Sequence, residues 1–285
     1  MQIISSKQIV NRNLKFFWFG DTGTRKTETI LRYFPKVLLI DAEGNADKAA
    51  DNPEIPEFLL VKTKDAREIL NIIEMVANEK IKFTDGSPIL TVGVDGISVL
   101  WDIGKDVAAT VAENRAAHNN RPIDTISPSL RDWNIAKRPL KRIYTALNNS
   151  PIKFLVFTAR EKILLEDLGN NSFKKIGVTY DAMGGIQYDM NVTLHFQKDE
   201  TSKWLMEVVK TQGTLNKIFP EGKKLTKFPM QNVLAWADRI QPSITDDKDG
   251  QTIAVEQAKD SEKMVRNMEN LRVYAGEMGI IPQSK

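Results

Sequence analysis

The stretch FFWFGDTGTRKTETI, residues 16–30, sets the tightest limit on what this chain can fold into. The aromatic run KFFWF reads as a strand buried on both faces. TETILRYF reads as the first turns of a helix. Between them lies a short turn with two glycines, Gly20 and Gly23. These residues nearly satisfy the phosphate-loop pattern G-x-x-x-x-G-K-[ST]. Gly20 opens it and Lys26 and Thr27 close it, but Arg25 stands where the pattern has its second glycine. A turn that leads from a strand into a helix N-terminus offers backbone N–H groups and the positive end of the helix dipole to an anion. Lys26 is then placed to reach the β- and γ-phosphates of ATP, and the Thr27 hydroxyl to hold Mg²⁺. Gly23 keeps the loop able to turn. The candidate nucleotide-binding residues are Gly20, Asp21, Thr22, Gly23, Thr24, Arg25, Lys26, Thr27 and Glu28. The alternative is an ordinary strand–turn–helix connection in which the lysine is incidental. Arg25 itself has three readings: it points away from the phosphates, adds a cation to them, or crowds them.

The rest of the chain supplies the context that such a loop needs. Short apolar runs at 15–19, 37–40, 58–61, 90–94 and 154–158 read as strands, mostly continuous rather than alternating. Helical patterns lie between them. In 65–80, Ile69, Ile72, Ile73 and Val76 share one face, with Asp65 as N-cap. A second pattern covers 130–148, where Pro139 predicts a kink or a break. Strands alternating with helices predict an α/β fold with a mainly parallel sheet flanked by helices. Two neighbouring strands, 190–197 and 203–211, then predict an antiparallel hairpin added to the sheet. The segment 241–251 is polar and acidic and reads as a linker, and 252–285 as a helical appendage to a core of residues 1–240.

Two strand ends carry carboxylates. LTVGVDG ends in Asp95, where a carboxylate can position Mg²⁺ or its water shell. VLLIDAEGNAD ends in Asp41, with Glu43 two residues on, where a carboxylate can orient and deprotonate a water. In open α/β sheets ligands bind beyond the carboxyl ends of the strands, so both addresses fit. Read singly, Asp95 is more commonly a helix N-cap or turn residue, and the carboxylate after the strand VLLID reads as well as a solvated loop residue.

Composition narrows the setting. The 285 residues include no cysteine, which removes disulfides, thiolate metal sites and a cysteine nucleophile. No signal-peptide pattern and no membrane-length apolar run is present, so the expectation is a cytoplasmic protein without membrane partners. Net charge is +3, which permits nucleic-acid binding without requiring it.

With these motifs in order, the chain resembles RecA-like P-loop ATPases. The phosphate loop, the strand ending IDAEG-NAD, the Walker B strand VGVD, the strand LVFTARE and a late hairpin ending EVVKTQG follow one another as in that core. The chain is more closely similar to phage-encoded RecA-like ATPases that include single-strand annealing proteins, in which RDWNIAKRPLKRI matches a tryptophan before a lysine-rich helix. The resemblance spans about residues 14–230. It implies Glu43 as the residue that activates water, Lys26 and Thr27 as the Walker A pair, and Asp95 as the Walker B aspartate. Arg160 stands where family members often place a glutamine or histidine that senses the γ-phosphate. Lys210 resembles a lysine that reaches into the neighbouring subunit's ATP site, while the second such lysine is Gln212 here.

The resemblance further implies ATP and Mg²⁺ as cofactors, a head-to-tail homo-oligomer (ring or filament), and single-stranded DNA as partner, bound by two loops. Those loops correspond to 102–130 and 161–186. The first holds Lys105, Arg115 and Arg121. The second holds Lys162, Phe173, Lys174 and Lys175, cations beside an aromatic that suit phosphate contact and base stacking. On the residues alone, both stretches read equally as ordinary polar surface loops. Other readings kept open are a nucleotide-independent annealing module with a degenerate loop, and a small-molecule P-loop kinase. His118 and His195 receive no role, and Trp101 and Trp133 read as core or interface anchors.

Overall fold

The computed structural model describes residues 13–119, 126–169 and 172–240. The first compact unit ends at Ala237, and the proposed linker and appendage lie outside the described residues. The unit is an α/β domain built on a sheet in the order β3-β2-β4-β5-β1-β7-β8-β9, with β6 paired to β5 alone. The strands are β1 (Leu14–Gly20), β2 (Val37–Asp41), β3 (Leu59–Lys62), β4 (Thr91–Asp95), β5 (Phe154–Gly169), β6 (Ser172–Asp181), β7 (Val192–Lys198), β8 (Trp204–Thr211) and β9 (Lys224–Leu225). Pairs among β1, β2, β3, β4, β5 and β7 are parallel. β8 and β9 add antiparallel strands at one end. Helices are α1 (Lys26–Tyr33), α2 (Ala66–Ala77), α3 (Ile97–His118), α4 (Leu130–Asn148) and α5 (Met230–Ile240).

The aromatic run of β1 explains why the sheet is covered on both faces. Successive side chains of a strand point to opposite sides. Phe17 and Phe19 enter one core with α2, α3 and α4. Phe16 and Trp18 enter the other, with α1, α5, Phe219 and Phe228. Phe16, Phe17 and Trp18 are fully buried, and each such side chain contributes on the order of 2–3 kcal/mol. The two cores fix β1 in the middle of the sheet and with it the loop that follows.

The strand and helix expectations hold at most positions. Asp65 caps α2, accepting from the Arg67 amide at 2.8 Å. Trp101 and Trp133 pack 5.9 Å apart between α3 and α4, where Gly104 lets the helices approach. One expectation for the helices is corrected. Pro139 does not break α4, which runs unbroken through it. Its start is locked by a capping box in which Ser129 accepts from the Asp132 amide and Asp132 accepts from the Ser129 amide.

Among the described residues, the two stretches read as long polar loops are largely regular structure. The first is mostly α3, whose small buried residues Gly104, Ala108, Ala112 and Ala116 line one face. That stripe is too short in side chain to register as an apolar pattern. The second is a β-hairpin: beyond Phe157 β5 leaves β4, beyond Arg160 it leaves β1, and from Glu161 onward it pairs only with β6.

Candidate nucleotide site

The loop lies at the carboxyl end of β1, flanked by β5 and β7. Gly20 is required by crowding. A Cβ there would sit 2.1 Å from the Phe196 carbonyl oxygen of β7. Within the loop the Thr24 hydroxyl donates to the Asp21 carbonyl at 2.7 Å, and the Thr22 amide donates to the Asp21 carboxylate. No side chain caps the start of α1. The N–H groups of its first turn therefore remain available to an external acceptor.

Arg25 accounts for the missing glycine. Its backbone is left-handed, φ 65° and ψ 25°, a conformation that costs a residue with a side chain roughly 1–2 kcal/mol. Its side chain turns out of the loop, half exposed. The guanidinium lies over the Trp204 ring at 5.4 Å and 3.7 Å from Glu28. Glu28 faces the same outer side and pairs with Arg32 at 2.9 Å. Of the three readings of Arg25, the geometry matches the first.

A stability prediction follows. Arg25→Gly relieves about 1–2 kcal/mol of left-handed strain, but it loses a cation–π contact worth about 0.5–1 and adds about 0.5–1 of unfolded-state entropy. Urea denaturation should therefore show a change within about 0.5 kcal/mol. Arg25→Ala keeps the strain and loses the contact, so it should be less stable than the parent by about 1 kcal/mol.

Lys26 bends back over the loop, its Nζ donating to the Gly20 and Asp21 carbonyls, both at 2.9 Å. Burial lowers its pKa, against the raising influence of Asp95, Glu43, Asp21 and Glu161. A cation held there by carbonyls, with a desolvation cost, favours an incoming anion. The Thr27 hydroxyl donates to the Asp95 carboxylate at 2.6 Å. Asp95 is 5% exposed, and its other oxygen accepts from the Thr158 hydroxyl. Burial raises its pKa, opposed by the bonds from Thr158 and Thr27. The same Thr158 oxygen accepts from the Gly96 amide at 2.9 Å.

Thr27 and Asp95 fit a magnesium site that phosphate oxygens and water complete, since Mg²⁺ takes one or two protein oxygens and keeps the rest from substrate and water. Among the described residues no group of three or more His, Asp or Glu could hold a metal.

Asp41 proves structural. Its two oxygens accept from the Gly44 and Ala46 amides at 2.6 and 2.8 Å, which shapes the turn that presents Glu43. Glu43 in turn accepts from Arg160 Nε at 3.0 Å. Gly96 makes room for this pair: a Cβ there would lie 2.5 Å from Glu43 Cγ. The carboxyl ends of β1, β2 and β4, together with the middle of β5, thus gather Lys26, Thr27, Glu43, Asp95 and Arg160.

Lys210 is not brought to this loop. On β8 it pairs with Thr193, itself level with Phe17, and donates to the Gln187 carbonyl at 2.7 Å. Missed in the sequence were Thr158, Gly96 and the pair formed by Glu161 and His195 at 2.9 Å. His195 stacks on Phe19, with ring centroids 4.7 Å apart.

The candidate DNA residues divide. Lys105 is bound to Asp102 at 2.6 Å and lies 3.6 Å from Asp181. Arg115 is bound to Ser129 and Asp132 at the start of α4. Arg121 lies outside the described residues. Lys162, Phe173, Lys174 and Lys175 all stand exposed on the β5–β6 hairpin. The three lysines have no ion-pair partner among the described residues.

No protein-family model matches the chain, and no curated protein matches it. Among solved structures the chain is similar to the RadB recombinase, at 16% sequence identity over 74% of this chain and 84% of that one, with a TM-score of 0.41. That overlap is too loose for any property of the recombinase to be carried to this chain. Among the described residues no helix is long and apolar enough to cross a membrane.

Proposed function

We propose that this chain is a RecA-like ATP-binding protein that uses Mg-ATP at the Gly20–Thr27 loop, binds single-stranded DNA and promotes its annealing or recombination. The observation that carries the reading is the Thr27–Asp95 contact of 2.6 Å beside Lys26. Loop hydroxyl, strand-end carboxylate and half-buried cation meet at an uncapped helix start, although β5 lies between the strands that carry them. An incidental lysine in a generic turn explains none of that convergence. Glu43 is the base that orients water, and Arg160 is the cation that meets the γ-phosphate. Lys210, kept away from its own loop, is assigned to a neighbour's site in a head-to-tail oligomer.

DNA contact is assigned to the β5–β6 hairpin. At its base Arg160 is engaged by Glu43, Glu161 by His195, and Asp181 lies near Lys105. The projecting part keeps Lys162, Lys174 and Lys175 against Glu166 and Asp167, with Phe173 58% exposed. Lysines beside an exposed ring suit a backbone that is neutralised while a base stacks.

Replacing Lys162, Lys174 and Lys175 together by alanine should make the log-affinity versus log-salt slope shallower by about 2 for a single-stranded oligonucleotide, at ~0.7 per phosphate contact. Filter binding across salt concentrations, with and without Mg-ATP, measures it. Absence of single-strand affinity at low salt in the parent, with or without ATP, defeats the DNA part of this reading.

A further inference from the structure

The ion pair between Arg160 and Glu43 joins the two side chains that the nucleotide reading places nearest the γ-phosphate. Glu43 stands two residues beyond the end of β2, and Arg160 is in register with Gly20 at the foot of the loop. Their Nε–Oε1 distance is 3.0 Å. In this arrangement the carboxylate needed to orient water is occupied by a cation, and the cation needed by a phosphate is occupied by a carboxylate.

We propose that this pair is a latch. While no triphosphate lies at Lys26, Arg160 holds the Glu43 carboxylate. A γ-phosphate arriving beside Lys26 draws the guanidinium to itself and releases Glu43 to a water. The latch rests on the nucleotide reading above and adds a regulation to it: the base becomes free only when the third phosphate is present.

Four features of the structure support a latch that opens without disturbing the fold. First, both side chains are partly exposed, 48% for Arg160 and 31% for Glu43. An ion pair so placed is weak and yields to a stronger acceptor. A phosphate is that acceptor, because it takes the guanidinium fork through two parallel bonds. Second, among the described residues the guanidinium is engaged by Glu43 through Nε alone, which leaves its terminal N–H groups for phosphate oxygens. Third, the backbone of Arg160 is anchored while its side chain is not. The Arg160 amide donates to Ser98 Oγ at 2.8 Å, and Ser98 Oγ donates to the Asp181 carbonyl at 2.6 Å. Release is therefore a rotation of one side chain. Fourth, Glu43 lies against a position that only glycine can occupy. Gly96 has φ +90°, and a Cβ there would overlap Glu43 Cγ.

The test is a double-mutant cycle on Glu43→Gln and Arg160→Gln, read as equilibrium affinity for a non-hydrolysable ATP analogue and for ADP in Mg²⁺. Breaking the latch in Glu43→Gln frees Arg160, so the analogue should bind about fivefold more tightly, the equivalent of a partly exposed ion pair. ADP affinity should not change. Arg160→Gln should weaken the analogue by about tenfold or more, as expected for loss of a charge-assisted bond, again without effect on ADP. In the Arg160→Gln background, Glu43→Gln should no longer tighten binding.

Equal tightening in both backgrounds overturns the latch, because it reports only the removal of a negative charge near the phosphates. No tightening in the parent background, or an equal shift for ADP, overturns it as well. A parent that binds neither nucleotide defeats the nucleotide reading itself, and the latch with it. Normal nucleotide binding with additive effects defeats the latch alone.

Discussion

Glu43→Gln is expected to lower ATP turnover by about 10²- to 10⁴-fold, the range that a positioned general base contributes, while Mg-ATP still binds. The carboxylate is held for this work by its surroundings. Asp41 ties down the turn through the Gly44 and Ala46 amides, and Gly96 leaves space beneath the side chain. Glutamine keeps the shape and loses the basicity, and none of those contacts depends on the Glu43 charge. Phosphate release in the presence of single-stranded DNA, measured alongside equilibrium binding, separates the two effects. Turnover within tenfold of the parent would assign the water to another group, and Glu161 beside His195 is then the next carboxylate to examine.

Lys26→Ala is expected to weaken Mg-ATP binding by about 10- to 100-fold, since charge-assisted bonds to phosphate are worth about 1.5–3 kcal/mol. The fold should remain. Lys26 Nζ touches only the loop itself, at the Gly20 and Asp21 carbonyls and, more weakly, at Thr24. The Asp21 carbonyl keeps the Thr24 hydroxyl when the ammonium is gone. Burial already disfavours the charged lysine, so its removal leaves no stranded cation. Circular dichroism and urea denaturation should match the parent while a fluorescent nucleotide titration shows the loss. Retained affinity would move the nucleotide away from this loop.

Much of this site can be read from residue order. KFFWF, VLLID and TVGVD are apolar to their last residues, so the strand ends that carry Gly20, Asp41 and Asp95 are legible. Lys26 and Thr27 follow at fixed spacing from Gly20. What residue order does not carry is which strand lies beside which. Thr158 reaches Asp95 because β5 sits between β4 and β1, and nothing in LVFTARE declares that neighbour. The same insertion brings Arg160 to Glu43 across Gly96. From the sequence, Gly96 is one more glycine after a strand, and only the packing shows that Glu43 fills its missing side chain.

Arg25 is the converse case. The phosphate-loop pattern asks for glycine where the backbone is left-handed, and the chain keeps that conformation with an arginine whose side chain leaves the loop toward Trp204. The pattern registers a departure although the backbone geometry is unchanged. The hairpin was hidden for a different reason. Its β6 strand, SFKKIGVTYD, is exposed over its first half, and a strand that buries little leaves little alternation to read.

The most direct measurement is a crystal structure with Mg²⁺ and a non-hydrolysable ATP analogue. Lys26 Nζ is expected to leave the Gly20 and Asp21 carbonyls for the phosphates. The Thr27 oxygen should take the magnesium ion through a lone pair while its proton stays on Asp95, and the Arg160 guanidinium should move from Glu43 to the γ-phosphate. An analogue seated elsewhere, or a loop in which Lys26 Nζ stays on the Gly20 and Asp21 carbonyls with nucleotide bound, would contradict the nucleotide reading.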